Sequence, residues 1–291
     1  MTLTMQVART REELARARAG LAGTVAFVPT MGALHDGHRS LLKRARGLAD
    51  HVAVSIFVNP LQFGLHEDLD RYPRSLDADL EMCADEGVAL VFAPSRDVVY
   101  PSEPIVTVHA GAMGERLEGA SRPGHFDGVL TVVAKLFGLV KPDIAVFSRK
   151  DAQQLALVRR MVADLDLGVR IEAAPFIRDA DGLALSSRNA YLSAEQREAA
   201  LIVPSALATA ALAAEKGASP VQLPTMVRAL IASADGVALD YVALVDPDTF
   251  DDVGAGDLEP GAQAVLAVAA RVGNIRLIDN VLVTMTQERK G

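Results

Sequence analysis

Two histidines, His35 and His38, stand three residues apart in a glycine-bearing segment, residues 29–38. An apolar, β-branched run at 24–28 precedes this segment and predicts a buried strand. Apolar residues at helical spacing over 41–48 predict a helix after it. The N-terminus of a helix binds anions, because its first N–H groups lack partners within the helix and its dipole end is positive. Two imidazoles on that turn share a face and can donate to phosphate oxygens, which suits attack on a nucleotide α-phosphate.

Histidines near a turn also have plainer explanations. Most are surface groups or satisfied core groups, and a pair can ligate a metal, although no third ligand stands at an obvious spacing from His35 and His38. The position of the motif between a predicted strand and a predicted helix favours phosphate binding. Gly32 and Gly37 support it, since a glycine lets the backbone approach a ligand with no Cβ in the way.

Two glutamines lie where predicted strands give way to turns or helices. Gln62 follows an apolar run at 52–58, and Gln154 lies on the first turn of the helix that follows an apolar run at 144–147. A carboxamide offers both a donor and an acceptor and suits a hydroxy-acid substrate. Either glutamine alone would be interpreted as a solvated surface group, so the hypothesis of a substrate site depends on the pair.

Cationic and hydroxyl groups occur at two further turns. Lys150 and Asp151 occupy a strand-to-helix turn. A lysine there can neutralise phosphate charge, and an aspartate can cap the helix or bind ribose hydroxyls. Residues 186–189 offer two hydroxyls and the fork-shaped cation of Arg188, which is well matched to polyphosphate. The alternatives are a common surface pair at the first turn and an ordinary helix cap, formed by Ser187 or Asn189, at the second.

A loop rich in helix breakers, residues 117–128, carries Arg122 and His125. Long loops with polar groups are more often functional than idle. Arg122 is either a phosphate contact or a surface arginine, and His125 is a candidate partner of an acid or of the substrate. Asp77 and Asp79 are candidate magnesium ligands, but a solvated helix face is the favoured interpretation, because exposed carboxylates are seldom functional.

The order of apolar runs and helical patterns predicts the fold of the first part of the chain. Strands and helices alternate, and the strands are continuously apolar, which is typical of a parallel, doubly wound α/β sheet. Ligands bind such sheets beyond the carboxyl ends of the strands, so we expect the tips after Val28, Val58 and Phe147 to converge on one crevice. The predicted strands are 24–28, 52–58, 88–92, 105–108, 144–147 and 169–173, and the predicted helices are within 1–22 and near 41–48, 76–86, 129–140 and 148–163.

After Pro175 the pattern changes to two alanine-rich helical stretches followed by three strands, which predicts a smaller α+β domain. We place the first domain at 1–176 and the second at 177–291, and we expect the second to cover the active site. The predicted helices of the second domain are 194–214 and 220–234, and its predicted strands are 239–245, 264–272 and 274–283.

Composition excludes several classes of protein. The chain has 291 residues, a formal net charge of −8 and a pI near 5.3, which argues against a nucleic-acid partner held by general basicity. The single cysteine, Cys83, cannot form an internal disulfide and fits a reducing compartment. No apolar run reaches membrane-spanning length, and the N-terminus lacks a signal-peptide core. We therefore expect a cytoplasmic protein with no membrane partner.

These motifs together closely resemble those of the pantothenate synthetase (pantoate–β-alanine ligase) family. The resemblance runs through residues 29–38, 55–64, 72–74, 122–128, 150–154 and 186–189. It implies a Rossmann-like fold of the nucleotidyltransferase and class I synthetase-like group, in a cytoplasmic homodimer. It also implies a two-step ligation, in which pantoate attacks the ATP α-phosphate and β-alanine then displaces AMP. ATP is the implied co-substrate, with Mg²⁺ bridging its phosphates.

The same resemblance implies roles for individual residues. His38 matches the family's proton donor, and Ile177 matches a backbone contact to adenine. The expected catalytic residues are His35, His38, Lys150 and Arg188. The expected binding residues for pantoate and β-alanine are Gln62, Gln154 and Arg122. The expected ATP-binding residues are Met31, Gly32, Ala33, Leu34, His35, Asp36, Gly37, His38, Ser148, Arg149, Lys150, Asp151, Ile177, Leu185, Ser186, Ser187 and Arg188.

Two positions depart from the family pattern. Ser148 replaces a glycine, so its Cβ is expected to crowd the nucleotide if the backbone must approach ATP there, and the nucleotide affinity of Ser148→Gly would test this. Leu185 replaces a methionine of similar volume. Two rival hypotheses stand beside the ligase: a nucleotidyltransferase acting on a phosphorylated small molecule, and a nucleotide-binding protein without turnover.

Overall fold

The computed structural model describes residues 4–64, 67, 69–254, 259 and 261–285. The chain divides into two compact units. The first unit comprises the chain up to Arg149 together with Leu157–Pro175, and the second comprises Lys150–Ala156 together with the chain from Phe176 onward. The second unit therefore begins one residue before the predicted boundary, and it also includes a short segment that the sequence analysis placed in the first domain.

The first unit is built on a six-stranded sheet. Its strands are β1 Gln6–Ala8, β2 Val25–Thr30, β3 His51–Ile56, β4 Leu90–Phe92, β5 Ile144–Ser148 and β6 Arg170–Ala174. The spatial order is β1-β4-β3-β2-β5-β6, and every neighbouring pair is parallel. This confirms the doubly wound parallel α/β fold, which the uninterrupted apolar runs predicted because both faces of such a sheet are covered.

One predicted strand is wrong and one strand was missed. Residues 105–108 form no strand, because this stretch lies open to solvent: Ile105 is 98% exposed, and the Val108 N–H bonds to the Thr131 hydroxyl instead of to a neighbouring strand. The missed strand, β1, is only three residues long and lies at the edge of the sheet, where a short segment gives little periodic signal.

Helices flank the sheet and pack apolar side chains against it. Leu41 and Leu42 are buried in the same cluster as Val28, Val54 and Val146. The helices are α1 Arg11–Ala19, α2 Asp36–Arg46, α3 Leu76–Asp85, α4 Arg96–Val99, α5 Glu118–Ser121, α6 His125–Val140 and α7 Ala152–Asp164, the first five residues of α7 belonging to the second unit. Helix α6 begins four residues earlier than predicted, so His125 lies on its first turn instead of in a loop.

The second unit packs helices on a three-stranded antiparallel sheet, which confirms the predicted α+β character. Its elements are α8 Ala194–Ala200, α9 Ile202–Glu215, α10 Gln222–Ala232, β7 Val237–Val245, β8 Gln263–Val272 and β9 Ile275–Thr284, with the strand order β7-β8-β9. The predicted single helix over 194–214 is interrupted at Leu201, because Pro204 has no N–H and its ring opposes a continuous helix.

The combined stretch Ala194–Glu215 is long and apolar enough to cross a membrane by length and composition alone, contrary to the expectation that no run would reach that length. Several of its apolar residues, however, are part of the core of the second unit. Val203, Leu207 and Ala210 are buried in one cluster with Leu266 on β8. The stretch is therefore explained as a pair of core helices.

Candidate active site

The central strands of the first unit end at one edge of the sheet. β3, β2 and β5 are neighbours, and because they are parallel their carboxyl ends lie together. β2 continues into residues 31–38, β3 leads to the turn that bears Gln62, and β5 ends at Ser148. The structure thus brings three of the predicted site segments to the position where a parallel α/β sheet binds its ligands.

The segment after β2 is held in shape by a carboxylate from α3. Gly32 and Ala33 both have left-handed backbone, with φ of 84° and 50°. Asp79 accepts hydrogen bonds from the backbone N–H groups of Ala33, at 3.0 Å, and Leu34, at 2.8 Å. It also accepts from the Ser75 hydroxyl at 3.1 Å, and its own exposure is only 2%. A buried carboxylate therefore stabilises a backbone conformation that a non-glycine residue such as Ala33 seldom adopts.

The solvated-face interpretation of Asp79 is consequently wrong, because its side chain is buried and accepts from backbone N–H groups. Asp77, two residues earlier, is exposed as expected of a solvated helix face. A sequence signal for Asp79 did exist: it lies four residues before buried Cys83, so both share the inward face of α3.

The two histidines cap the helix that follows. His35 is the N-cap residue of α2, and its Nδ1 accepts from the Gly37 N–H at 3.1 Å. The Nδ1 of His38 accepts in turn from the His35 N–H at 3.2 Å, and the ring centroids are 4.2 Å apart. Because each Nδ1 accepts, the neutral form of each ring carries its proton on Nε2. Both imidazoles are thereby fixed as Nε2–H donors at the positive end of a helix.

Gln62 is held in a buried turn after β3. It ends a short 3₁₀ helix, Pro60–Gln62, and its Oε1 accepts from Nδ2 of Asn59 at 3.1 Å. The other side-chain oxygen of that network, Oδ1 of Asn59, accepts from the Tyr100 hydroxyl at 3.0 Å. Burial raises the pKa of Tyr100 to about 12, so its hydroxyl remains a donor at neutral pH. These contacts direct Nε2 of Gln62 toward Sδ of Met31, 3.2 Å away.

Helix α6 approaches this turn unusually closely. The backbone carbonyl of Gly128 accepts from Asn59 Nδ2 at 3.1 Å. A Cβ at position 128 would overlap the carbonyl of Leu61 and lie 2.6 Å from the backbone nitrogen of Gln62. The absence of a side chain at Gly128 therefore allows the helix and the turn to pack backbone to backbone. The sequence did not indicate that Asn59, Tyr100 and Gly128 form one cluster, since Tyr100 and Gly128 lie 41 and 69 residues from Asn59.

Arg122 lies beside Gln62, within a network of its own. Its Nε and one terminal nitrogen donate to the Glu67 carboxylate at 2.7 and 2.6 Å. Its other terminal nitrogen lies 3.0 Å from Nε2 of His125, and Nδ1 of His125 lies 2.8 Å from the backbone carbonyl of Gln62. Burial, reinforced by the charge of Arg122, lowers the pKa of His125 to about 4. Arg122 therefore forms hydrogen bonds with Glu67 and His125 beside Gln62, a residue expected to bind substrate.

In the second unit, Lys150 lies in a 3₁₀ turn, Arg149–Asp151, with its Nζ 3.7 Å from the Asp151 carboxylate. The backbone carbonyl of Lys150 accepts from Nδ2 of Asn280 on β9, at 2.8 Å. Asn280 is buried, and it was not singled out from the sequence. Gln154 follows as the third residue of α7 and is half-buried.

The phosphate-loop candidates form a second turn in the same unit. The Ser186 hydroxyl caps the short helix Ser187–Tyr191 by accepting from the Arg188 N–H at 3.3 Å. A helix cap is therefore present as the alternative expected, but Ser186 forms it instead of Ser187 or Asn189. The Leu185 N–H donates to the carbonyl of Ile177 at 3.2 Å, which joins the two ends of a hairpin. Arg178 within this hairpin pairs with buried Asp279 at 2.7 and 2.9 Å.

A parallel, doubly wound sheet with polar side chains at the edge where its strands end is the architecture of Rossmann-like proteins, which bind their ligands at that edge. The family model described as pantoate–β-alanine ligase matches residues 2–282. The chain belongs to this pantoate–β-alanine ligase family.

Individual relatives agree with that assignment. The pantothenate synthetase of Acidothermus cellulolyticus is 63% identical, covering 94% of this chain and 90% of the relative. That of Thermobifida fusca is 57% identical, covering 96% of each. The crystal structure of pantothenate synthetase from Thermus thermophilus superposes with a TM-score of 0.88 at 43% identity, covering 95% of this chain and 99% of the other. The pantoate–β-alanine ligase of Francisella tularensis, complexed with beta-gamma ATP and β-alanine, gives 0.77 at 33% identity, with 96% and 98% covered.

Proposed function

We propose that the chain joins pantoate to β-alanine, consuming ATP and releasing AMP and pyrophosphate through a pantoyl-adenylate intermediate. Membership of the ligase family supports the overall reaction, and the Francisella relative's complex supports ATP and β-alanine as ligands. The observation that carries the adenylation step is the geometry of His35 and His38, whose Nδ1 atoms are occupied by backbone N–H groups so that both rings present Nε2–H donors.

In the first step, a pantoate carboxylate oxygen forms a bond to the α-phosphorus of ATP, and the bond to the pyrophosphate leaving group breaks. Negative charge on the phosphate oxygens increases as the transition state forms. The Nε2–H groups of His35 and His38 and the N-terminal dipole of α2 stabilise that charge. Since these donors are fixed by the helix cap, little reorganisation is required when the charge develops.

In the second step, the amine of β-alanine attacks the acyl carbon of the adenylate, the bond from that carbon to the phosphate oxygen breaks, and AMP leaves. The carboxamide of Gln62 binds the pantoate group in both steps and contacts β-alanine in the second. Asn59 holds Oε1 of Gln62, so Nε2 is the directed donor. The family resemblance gives Gln154 a further pantoate contact and Arg122 a place among the substrate-binding residues.

We assign the binding of the nucleotide phosphates to cationic and hydroxyl side chains. Lys150 and Arg188 neutralise phosphate charge, and Ser186 and Ser187 add hydroxyl donors. The backbone of Ile177 contacts adenine; the residue is 39% exposed in the structure. The remaining members of the ATP-binding set are Met31, Gly32, Ala33, Leu34, Asp36, Gly37, Ser148, Arg149, Asp151 and Leu185.

Magnesium is proposed as an ion bound by the nucleotide. Among the described residues, no group of three or more His, Cys, Asp or Glu side chains is arranged to hold a metal. Mg²⁺ usually retains several water molecules and binds mainly through substrate phosphates, which supports this proposal. When bound, the ion would offset phosphate charge, a task that Lys150 and Arg188 share.

We also propose that the protein acts in the cytoplasm as a homodimer. The reducing compartment is supported by Cys83, the only cysteine. Its side chain is buried and in thiol form, because burial raises its pKa to about 12. Ile105 and Val106 are 98% and 87% exposed, which is unusual for adjacent β-branched apolar residues and suits an interface between copies.

Pantoate-dependent exchange of labelled pyrophosphate into ATP, measured without β-alanine, tests the adenylation step. We expect exchange that requires pantoate, and AMP release once β-alanine is added. A stable nucleotide-linked product with a phosphorylated small molecule would instead support the nucleotidyltransferase hypothesis. ATP binding without exchange would support the non-catalytic hypothesis.

A further inference from the structure

We propose that His125 is a positioning residue for Gln62, acting in a relay that runs from Glu67 through Arg122 and His125 to the backbone carbonyl of Gln62. This inference deepens the proposed function and rests on the assigned role of Gln62 in binding pantoate. His125 itself is not assigned a contact with substrate. Its action is to fix the turn from which the Gln62 carboxamide projects.

The direction of each hydrogen bond in the relay follows from the chemistry of its members. A guanidinium group can only donate, so Nε2 of His125 must accept from Arg122 across 3.0 Å. The proton of the neutral imidazole is then on Nδ1. Nδ1 therefore donates to the Gln62 carbonyl across 2.8 Å. Arg122 thus selects the His125 tautomer that can hold Gln62.

The charge of Arg122 is compensated on its other side. Glu67 accepts from Nε and a terminal nitrogen at 2.7 and 2.6 Å, a bidentate geometry that fixes the plane of the guanidinium. Arg122 is partly buried and His125 is buried, so the relay is largely protected from competing water. Under these conditions a hydrogen bond is stronger than it would be at the surface.

Gln62 is consequently restrained at two independent points. Its side-chain oxygen accepts from Asn59, and its main-chain oxygen accepts from His125 at 2.8 Å and, over a longer 3.4 Å, from Arg122. The first restraint sets the orientation of the carboxamide, and the second sets the position of the turn. Loss of the second displaces the turn, and displacements on the scale of 1 Å can reduce catalytic efficiency by about 10²-fold.

A pair of substitutions at one position separates hydrogen bonding from packing. His125→Leu keeps a side chain of comparable bulk but removes both ring nitrogens. His125→Asn retains a donor that can reach the Gln62 carbonyl, and so serves as the conservative rescue. Glu67→Gln is a further variant. It leaves the His125 side chain intact and weakens the hydrogen bonds that restrain Arg122. His109→Leu is the matched control, because that histidine is exposed and bonds to Asp127 instead.

We expect His125→Leu to raise KM for pantoate by about tenfold or more while KM for ATP stays within about twofold, and His125→Asn to recover most of this loss. Glu67→Gln is expected to have a smaller effect in the same direction. Equal KM values for pantoate in wild type, His125→Leu and Glu67→Gln would overturn the proposal. Reduced thermal stability with unchanged KM values would also overturn it, since that pattern indicates a structural role.

Nuclear magnetic resonance of the full chain provides a readout that does not depend on turnover. We expect ¹⁵N shifts that report the Nδ1–H tautomer of His125, and a shift of the Gln62 side-chain amide signal in His125→Leu that reverts in His125→Asn. An Nε2–H tautomer, or a Gln62 signal unchanged in His125→Leu, would overturn the relay. Wild-type protein that shows these signals but no pantoate-dependent exchange would overturn the proposed function and leave the relay standing.

Discussion

Asp79 on α3 accepts a hydrogen bond from the backbone N–H of Leu34 across 2.8 Å, and thereby couples a helix remote in sequence to the segment that leads into the paired histidines. The same carboxylate accepts from the N–H of Ala33, whose backbone is left-handed. Since backbone N–H groups left unsatisfied in a buried site cost about 1–3 kcal/mol each, this one side chain accounts for much of the local order. The donors of His35 and His38 depend on that order.

The first prediction is that Asp79→Ala reduces pantoate-dependent pyrophosphate exchange by about tenfold or more, because the segment carrying the histidines relaxes. KM for ATP should rise, and the free energy of unfolding should fall by about 2–5 kcal/mol. Steady-state kinetics and urea denaturation provide the two measurements. Asp77→Ala on the same helix is the control, because that side chain is exposed and should change neither quantity.

The second prediction concerns Asn280 and the carbonyl of Lys150. Asn280→Asp replaces a donor with a carboxylate facing a carbonyl oxygen 2.8 Å away, so the two groups repel and the turn that carries Lys150 is displaced. KM for ATP should increase by about tenfold or more, since a displacement of this kind misplaces a phosphate-binding cation.

Titration calorimetry of nucleotide binding checks this expectation independently of turnover. Asn274→Asp introduces the same change at an exposed position between β8 and β9 and should leave ATP affinity unchanged. If Asn280→Asp bound ATP as tightly as wild type, positioning of Lys150 by Asn280 would be refuted.

The contacts of Asp79 with Leu34 and of Asn280 with Lys150 illustrate which parts of the site can be predicted from sequence and which cannot. The spacing of His35 and His38 was informative because a helix turn brings residues three apart together without help from the rest of the chain. The parallel sheet was predictable for a similar reason, since continuous apolar strands alternate with helices. Asp79 and Asn280 contact backbone 45 and 130 residues away, and no local pattern encodes such a pairing.

The tautomers of the histidines are only partly predictable from sequence. The sequence places His35 and His38 on the first turn of a predicted helix, but the choice between Nδ1–H and Nε2–H depends on which backbone N–H each ring meets. His125 adopts the opposite tautomer because its partners are a carbonyl and a guanidinium. Three rings of the same chemistry thus divide between two tautomers according to their neighbours, and the residue type alone does not show which tautomer each ring adopts.

The third prediction is a pH dependence of stability that originates at His125. Its pKa is lowered from 6.5 to about 4 in the folded protein by burial and by Arg122, so the unfolded chain binds the proton more tightly. Stability from this group is complete above pH 6.5 and is lost progressively as pH falls toward 4. The full difference is roughly 3 kcal/mol, at 1.36 kcal/mol for each unit of pKa.

Urea denaturation at several pH values between 4 and 7 measures this contribution. His125→Asn removes the histidine that titrates in this range. The free energy of unfolding of this variant should therefore vary less with pH than that of wild type. His109→Asn is the control: the pKa of His109 is raised by its hydrogen bond and charge pairing with Asp127, so its removal should not flatten the decline below pH 6.5. An unchanged slope in His125→Asn would show that other groups cause the acid sensitivity.

The fourth prediction compares two glycines on one helix. Gly128 and Gly138 both lie within α6, but an added Cβ would overlap the Leu61 carbonyl at position 128 and meet nothing within 4 Å at position 138. Gly138→Ala should therefore stabilise the protein by about 0.5–1 kcal/mol, as alanine favours helix. Gly128→Ala should destabilise it by about 1–3 kcal/mol, because backbone cannot move aside as a side chain can.

The two alanines should also differ in kinetics. Gly128→Ala separates α6 from the turn that bears Gln62, lengthening both the bond from Asn59 to the Gly128 carbonyl and the bond from His125 to the Gln62 carbonyl. KM for pantoate should rise in this variant and remain at the wild-type value in Gly138→Ala. Since both substitutions add one methyl group to the same helix, a rise in both would attribute the effect to the helix as a whole, and a rise in Gly128→Ala alone would attribute it to the contact with the Gln62 turn.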